Sequence, residues 1–194
     1  IVSEVTQSGY RQSFQDIAMQ IDACKTIGDW MEVYRRLVHW ELELSSTDSS
    51  MAEMLKMQKE EADNGFAKYI KAHYMDWMDD IAASRSAASG PSARLRMGGA
   101  GRQTKLQEVD ERPMMSVDVF KRKVFPLLDN GEKVFMIVID NFRLDQWRVL
   151  AGEIGDMFDI DEQTYVRILP TATQYARNAI FSGLMPSRIA EMFP

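Results

Sequence analysis

Val134-Phe135-Met136-Ile137-Val138-Ile139-Asp140 is a run of six apolar residues, mostly β-branched or aromatic, closed by a carboxylate. A half-exposed strand alternates apolar with polar residues. A continuous apolar run of this length reads instead as a strand covered on both faces, as in a parallel sheet. Upstream, Asp129-Asn130-Gly131 is a turn, and Ser116 is placed to cap a helix carrying Val119, Phe120, Val124 and Leu127. Downstream, a helix is expected from about Leu144 to Gly152 and a second strand at Tyr165-Val166-Arg167-Ile168-Leu169. A further helix is expected from Thr171 to Ser182. Residues 113–194 therefore read as α/β, the start of a parallel-sheet domain. Two strands are too few for a covered sheet, so we expect a segment of a longer domain. The chain's ends, Ile1-Val2-Ser3-Glu4 and Glu191-Met192-Phe193-Pro194, carry the same expectation.

Working outward, residues 84–112 change character. Ser-Arg-Ser-Ala-Ala-Ser-Gly-Pro and Met97-Gly98-Gly99-Ala100-Gly101 have linker composition. Arg85, Arg94, Arg96, Arg102 and Lys105 make the linker basic, but no aromatic residues interleave to stack on bases. Residues 1–83 contain no Pro and only Gly9, Gly28 and Gly65, and they read as a helical bundle. Phe14, Ile17, Ala18 and Ile21 share one helical face. Asp29 is placed to cap a second helix with the stripe Val33, Leu37, Trp40 and Leu44. Ser45 to Ser50 is a polar break, with Asp48 or Ser49 as the cap of a third helix. Its stripe is Met51, Leu55, Phe66, Tyr69, Ile70, Tyr74, Trp77 and Ile81, with a kink expected near Asn64-Gly65. The expected fold class is thus α/β with an N-terminal antiparallel helical bundle.

Composition narrows the function. The chain has 194 residues, with 23 Lys and Arg against 29 Asp and Glu, a net charge of −6 that argues against nucleic acid as main partner. One cysteine, Cys24, excludes a disulfide framework and a cysteine-based zinc site within the chain, and fits the cytoplasm. No apolar run approaches the about 20 residues that span a bilayer. The 14 methionines read mainly as packing.

Asp140 closes the first strand, and ligands of open α/β sheets bind outside the carboxyl ends of strands. A carboxylate there can hold a metal ion, cap the next turn or pair with Arg143. Pro170-Thr171-Ala172-Thr173 ends the second strand and opens a helix. Hydroxyls at a helix start cap free N–H groups, and the same N–H groups and dipole attract phosphate. Two threonines opposite an aspartate suggest metal-activated phosphoryl transfer. Arg177, one turn beyond Thr173, can clamp a phosphate oxygen or stand as a surface arginine. His39 and His73 sit in helical pattern beside Trp40 and Tyr74 and read as structural or surface residues.

Pro170-Thr171-Ala172-Thr173-Gln174-Tyr175-Ala176-Arg177-Asn178, ending at Ser182-Gly183, resembles the nucleophile segment of the alkaline phosphatase superfamily. Ile137-Val138-Ile139-Asp140-Asn141-Phe142-Arg143 resembles its first metal-binding strand end, and together the two segments resemble the PglZ domain. With Asp145-Gln146-Trp147 and the helical stretch Trp30 to Leu44, the chain is similar to PorX-like response regulators of type IX secretion. The resemblance implies a receiver domain, a helical connector and a zinc-dependent phosphodiesterase domain acting on nucleotide-derived substrates. In it Asp140 is a metal ligand, Thr173 the metal-bound nucleophile, and Thr171 and Arg177 line the phosphate pocket. Two zinc ions are implied, completed by later Asp and His residues; His39 and His73 lie in the helical part instead. Implied partners are a sensor histidine kinase, a sigma factor or secretion component, and a second copy of the chain. The alternative reading is a non-catalytic dimerisation and partner-docking module. A DNA-binding regulator is disfavoured, since no basic recognition helix is evident.

Overall fold

The computed structural model describes residues 2–44, 49–88 and 112–193. Asp48 and most of the linker, with its basic residues Arg94, Arg96, Arg102 and Lys105, lie outside the described residues. The chain divides into two compact units, Ile1–Arg112 and Pro113–Pro194.

In the first unit α1 (Val2–Ala23), α2 (Ile27–Glu43) and α3 (Ser49–Ala88) pack pairwise into a three-helix bundle. Its core is the apolar face of each helix: Phe14, Ile17 and Ile21 of α1, Trp30, Val33 and Leu37 of α2, and Met51, Leu55 and Ala62 of α3. Full burial of a large apolar side chain contributes about 1.5–3 kcal/mol, so this seam dominates the unit's stability. The start of α2 corrects one expectation. Thr26, not Asp29, is the N-cap: its Oγ1 accepts from the Asp29 amide at 3.2 Å. The Asp29 carboxylate accepts in return from the amides of Thr26 at 2.8 Å and Lys25 at 3.0 Å. This is a capping box, and the donated hydrogen bonds hold the Asp29 carboxyl below its usual range.

The helix α3 runs unbroken through Asn64 and Gly65 to Ala88. Gly65 has a packing reason instead. A Cβ there would lie 2.6 Å from Cη2 of Trp30, so the α2 indole occupies the space a side chain would fill. Methionine use also differs from expectation: Met51 is buried, but Met19, Met57 and Met75 are exposed because they fall on outward faces.

The second unit is helical with little strand. Met115 and Val166 form a parallel bridge, with Val166 N–H to the Met114 carbonyl at 2.9 Å and Ser116 N–H to the Val166 carbonyl at 3.1 Å. Ser116 is not a helix cap. Its buried Oγ accepts from the Ile168 amide at 3.2 Å, tying the 116 turn to the 165–169 segment. Asp118 takes the capping role, its carboxylate accepting from the Met115 amide at 2.9 Å. The helix expected here is segmented into a 3-10 turn (Ser116–Asp118), a π-turn (Phe120–Val124) and α4 (Phe125–Asp129). The reason is Pro126 at the start of α4, whose ring crowds the carbonyl four residues back. The Phe125 amide reaches the Phe120 carbonyl, a five-residue span that accommodates the proline.

The apolar run 134–139 finds no ladder partner among the described residues, and Phe135 and Ile137 are 90% and 81% exposed. The parallel sheet thus amounts to the Met115–Val166 bridge among the described residues. Three helices follow: α5 (Leu144–Ile154), α6 (Thr173–Ser182) and α7 (Pro186–Met192). The α6 helix opens two residues later than Thr171 because Ala172 keeps an extended backbone, with ψ 138°. Ala176 and Ala179 of α6 are buried against the 116–118 turn. Gly183, at φ 63°, ends α6 where a Cβ would meet the Val117 carbonyl at 3.4 Å.

Candidate functional site

Two segments distant in sequence meet at the exit of the 134–139 run. Asp140 follows it, and Thr173 is the first residue of α6. The Thr173 hydroxyl donates to Asp140 Oδ1 at 3.5 Å, across a sequence separation of 33. The same oxygen accepts from the Asn141 amide at 3.1 Å. Asn141 holds a left-handed backbone, φ 56°, directly after Asp140.

Asp140 makes no ion pair among the described residues. Arg143 forks onto Asp145 instead, Nε to Oδ1 at 2.9 Å and Nη2 to Oδ2 at 2.6 Å. That fork holds the Asp145 carboxyl well below the usual carboxylate range, at about 2. The Arg143 amide donates to Gln146 Oε1 at 3.0 Å, which closes the start of α5. Glu162 then ties α5 to the loop after it, accepting from Trp147 Nε1 at 3.1 Å and from Arg148 at 3.3 Å. The Asp-Gln-Trp motif thus braces the element that follows the Asp140 corner.

Thr171 and Arg177 are exposed, and neither side chain makes a hydrogen bond or ion pair among the described residues. They flank Thr173 along the chain without being tied to Asp140. A helix start leaves its first N–H groups without intrahelical acceptors and favours negative charge, and Thr173 stands at that position. His39 and His73 belong to the bundle. His39 packs edge-on to Trp40, with centroids 5.5 Å apart, and His73 lies against Tyr69 at 4.4 Å.

The resemblance implies a metal, so the donors decide the fit. Asp140 and Thr173 offer two adjacent oxygens, the right kind of donor for a divalent cation. No group of three or more His, Cys, Asp or Glu side chains converges among the described residues. The pair fits as two ligands of a metal and does not by itself make a closed centre. Sequence reasoning assigned no role to Asn141 and gave Ser116 only a helix-capping one. The signal for Asn141 was its side-chain type, since asparagine enters the left-handed region more readily than most residues. Ser116 carried no signal apart from its supposed capping role.

Comparison with known proteins bears on both units. Residues 1–78 match the PorX response regulator linker domain. Residues 119–194 match the BREX system PglZ alkaline phosphatase-like domain. No curated protein matches the chain. No helix among the described residues is long and apolar enough to cross a membrane. A PorX-type linker followed by an alkaline phosphatase-like unit makes this chain a match to a PorX-like, PglZ-containing protein.

Proposed function

We propose that this chain is the connector and the first part of the phosphodiesterase domain of a cytoplasmic response regulator, with Thr173 as nucleophile. The observation that carries this reading is the Thr173 hydroxyl donating to Asp140 Oδ1 at 3.5 Å. The end of the 134–139 run and the start of α6 bring these two side chains within 3.5 Å. Asp140 orients the hydroxyl, and the positive end of α6 favours the non-bridging oxygens of a phosphodiester.

Thr173 Oγ1 forms a bond to phosphorus as the bond to the leaving alcohol breaks in line. The proton that Thr173 gives up ends on that alcohol. Water then cleaves the phosphothreonine and regenerates the hydroxyl. Arg177 and Thr171 stand near enough along the chain to add charge and a hydroxyl to the phosphate pocket. Zinc, held by Asp140 and Thr173 with ligands outside this pair, would supply the Lewis acidity that lowers the threonine pKa. Nucleotide-derived diesters are the substrate class we assign.

The test is hydrolysis of bis(p-nitrophenyl) phosphate and of linear dinucleotides by the full-length protein and its Thr173→Ala variant. We expect kcat to fall by about 1,000-fold or more, the scale of losing a covalent nucleophile. Undiminished turnover by Thr173→Ala would overturn the assignment.

The bundle supports a complementary role. Its match to a response regulator linker and its self-contained core suit a relay between a receiver and the second unit. We assign it dimerisation with a second copy, under control of a sensor histidine kinase, and docking of a sigma factor or secretion component. Light scattering of the phosphorylated full-length protein checks this: a dimer is expected, and a strict monomer would remove the relay.

A further inference from the structure

The turn at 116–118 touches the chain on both sides of Thr173. Before it, Met115 and Val166 pair as in a parallel ladder. The Val166 amide donates to the Met114 carbonyl at 2.9 Å, and the Ser116 amide to the Val166 carbonyl at 3.1 Å. In such a ladder the next bond runs from the Ile168 amide to the Ser116 carbonyl. Here the main chain has already turned into the 3-10 segment Ser116–Asp118, and the Ile168 amide donates to Ser116 Oγ at 3.2 Å instead. The hydroxyl thus carries the pairing one rung further, toward Pro170 and Thr173. Ser116 and Ile168 are both fully buried, so water does not stand in for this acceptor. Beyond Thr173, Ala176 and Ala179 of α6 are buried against the same turn, and a Cβ at Gly183 would meet the Val117 carbonyl at 3.4 Å.

We propose that Ser116 is a positioning residue whose hydroxyl, by holding Ile168, sets the place of Thr173 opposite Asp140. Its catalytic consequence rests on the phosphodiester reading above, and its geometric consequence does not. Packing seats α6 on the turn, whereas the segment leading into α6 is tied to Ser116 by this side-chain bond. Removing the hydroxyl leaves the Ile168 amide buried without that acceptor, and the segment that carries Thr173 loosens. In-line attack loses rate steeply with a shift of about 1 Å. Ser116 is itself buried and out of reach of substrate.

The experiment compares Ser116→Ala, Ser116→Cys and Ser116→Thr with wild type in the full-length protein, read in two ways. The first is steady-state hydrolysis of bis(p-nitrophenyl) phosphate. We expect Ser116→Ala to lose about tenfold in kcat with KM unchanged. Ser116→Thr keeps a hydroxyl acceptor and should recover about half of wild-type kcat or more, with the weak acceptor of Ser116→Cys between the two. The second is hydrogen–deuterium exchange. Peptides covering 165–173 should exchange faster in Ser116→Ala than in Ser116→Thr, and bundle peptides should not change. Wild-type kcat in Ser116→Ala would overturn the proposal, as would an effect confined to KM. So would equal losses in all three variants, which would put the role in packing and not in the hydroxyl. Should Ser116→Ala not fold, Ser116→Cys against Ser116→Thr decides by the same criteria. Should the wild type hydrolyse no phosphodiester, the phosphodiesterase reading fails and exchange at 165–173 decides the positioning claim: faster exchange in Ser116→Ala upholds it, and wild-type exchange overturns it.

Discussion

At the scale of single residues, the clearest test is electrostatic. Asp145 is held at about 2 by the Arg143 fork, against about 3.9 in an unfolded chain. A depressed carboxyl contributes stability that is fully present above the unfolded value and is lost as pH falls through the folded one. The brace at the start of α5 should therefore loosen between about pH 4 and pH 2. Amide shifts of Gln146 and Trp147 should titrate in that window, and Asp145→Asn should abolish the titration. Thr26 gives a second test. Its Oγ1 is one half of the capping box, so Thr26→Ala should lower bundle stability by about 1 kcal/mol, measured by urea unfolding. The candidate residues Asp140 and Thr173 were singled out at this scale because the cues for them are local. Asp140 stood out by following an apolar run and Thr173 by following a proline and a helix start. The Ser116 bond to Ile168 was not legible, because it depends on which segments meet in space.

At the scale of elements, Gly65 is the informative position. In an exposed helix Gly→Ala is worth about 1 kcal/mol of stabilisation. Here the added Cβ would lie 2.6 Å from the buried Trp30 ring, and overpacking costs about 1–3 kcal/mol. Gly65→Ala should therefore be neutral to destabilising by about 2 kcal/mol rather than stabilising. Trp30→Phe should turn the same substitution stabilising. It also removes an indole N–H that is buried without an acceptor among the described residues. A double-mutant cycle by thermal unfolding measures this coupling directly. The bundle's helices were legible because their apolar faces recur with helical period. The Gly65 packing role was not, since a glycine inside a helical pattern looks the same whether it bends the helix or admits a neighbour.

At the scale of the whole chain, the contrast lies between the two units. The bundle buries its apolar faces, whereas the second unit leaves Phe135, Ile137 and Ile139 at 90%, 81% and 54% exposure. A flat apolar run with unpaired backbone is a template for intermolecular strand pairing. Phe135→Lys should raise the concentration at which the isolated chain begins to aggregate, followed by light scattering, and leave bundle unfolding unchanged. The run's composition marked it as strand, and it forms no strand among the described residues. Pairing needs partner strands, and six residues in one segment cannot specify where those lie.

The Trp30–Gly65 contact also limits how the helices of the bundle can move against one another. One helical turn is about 5.4 Å, and a shift of α3 along α2 by that amount would bring Glu61 or Tyr69 to the place where only glycine fits. The notch therefore acts as a mechanical stop against piston-like sliding. Tilting of the bundle as one piece keeps Gly65 against Trp30, whereas sliding α3 or turning it about its axis does not.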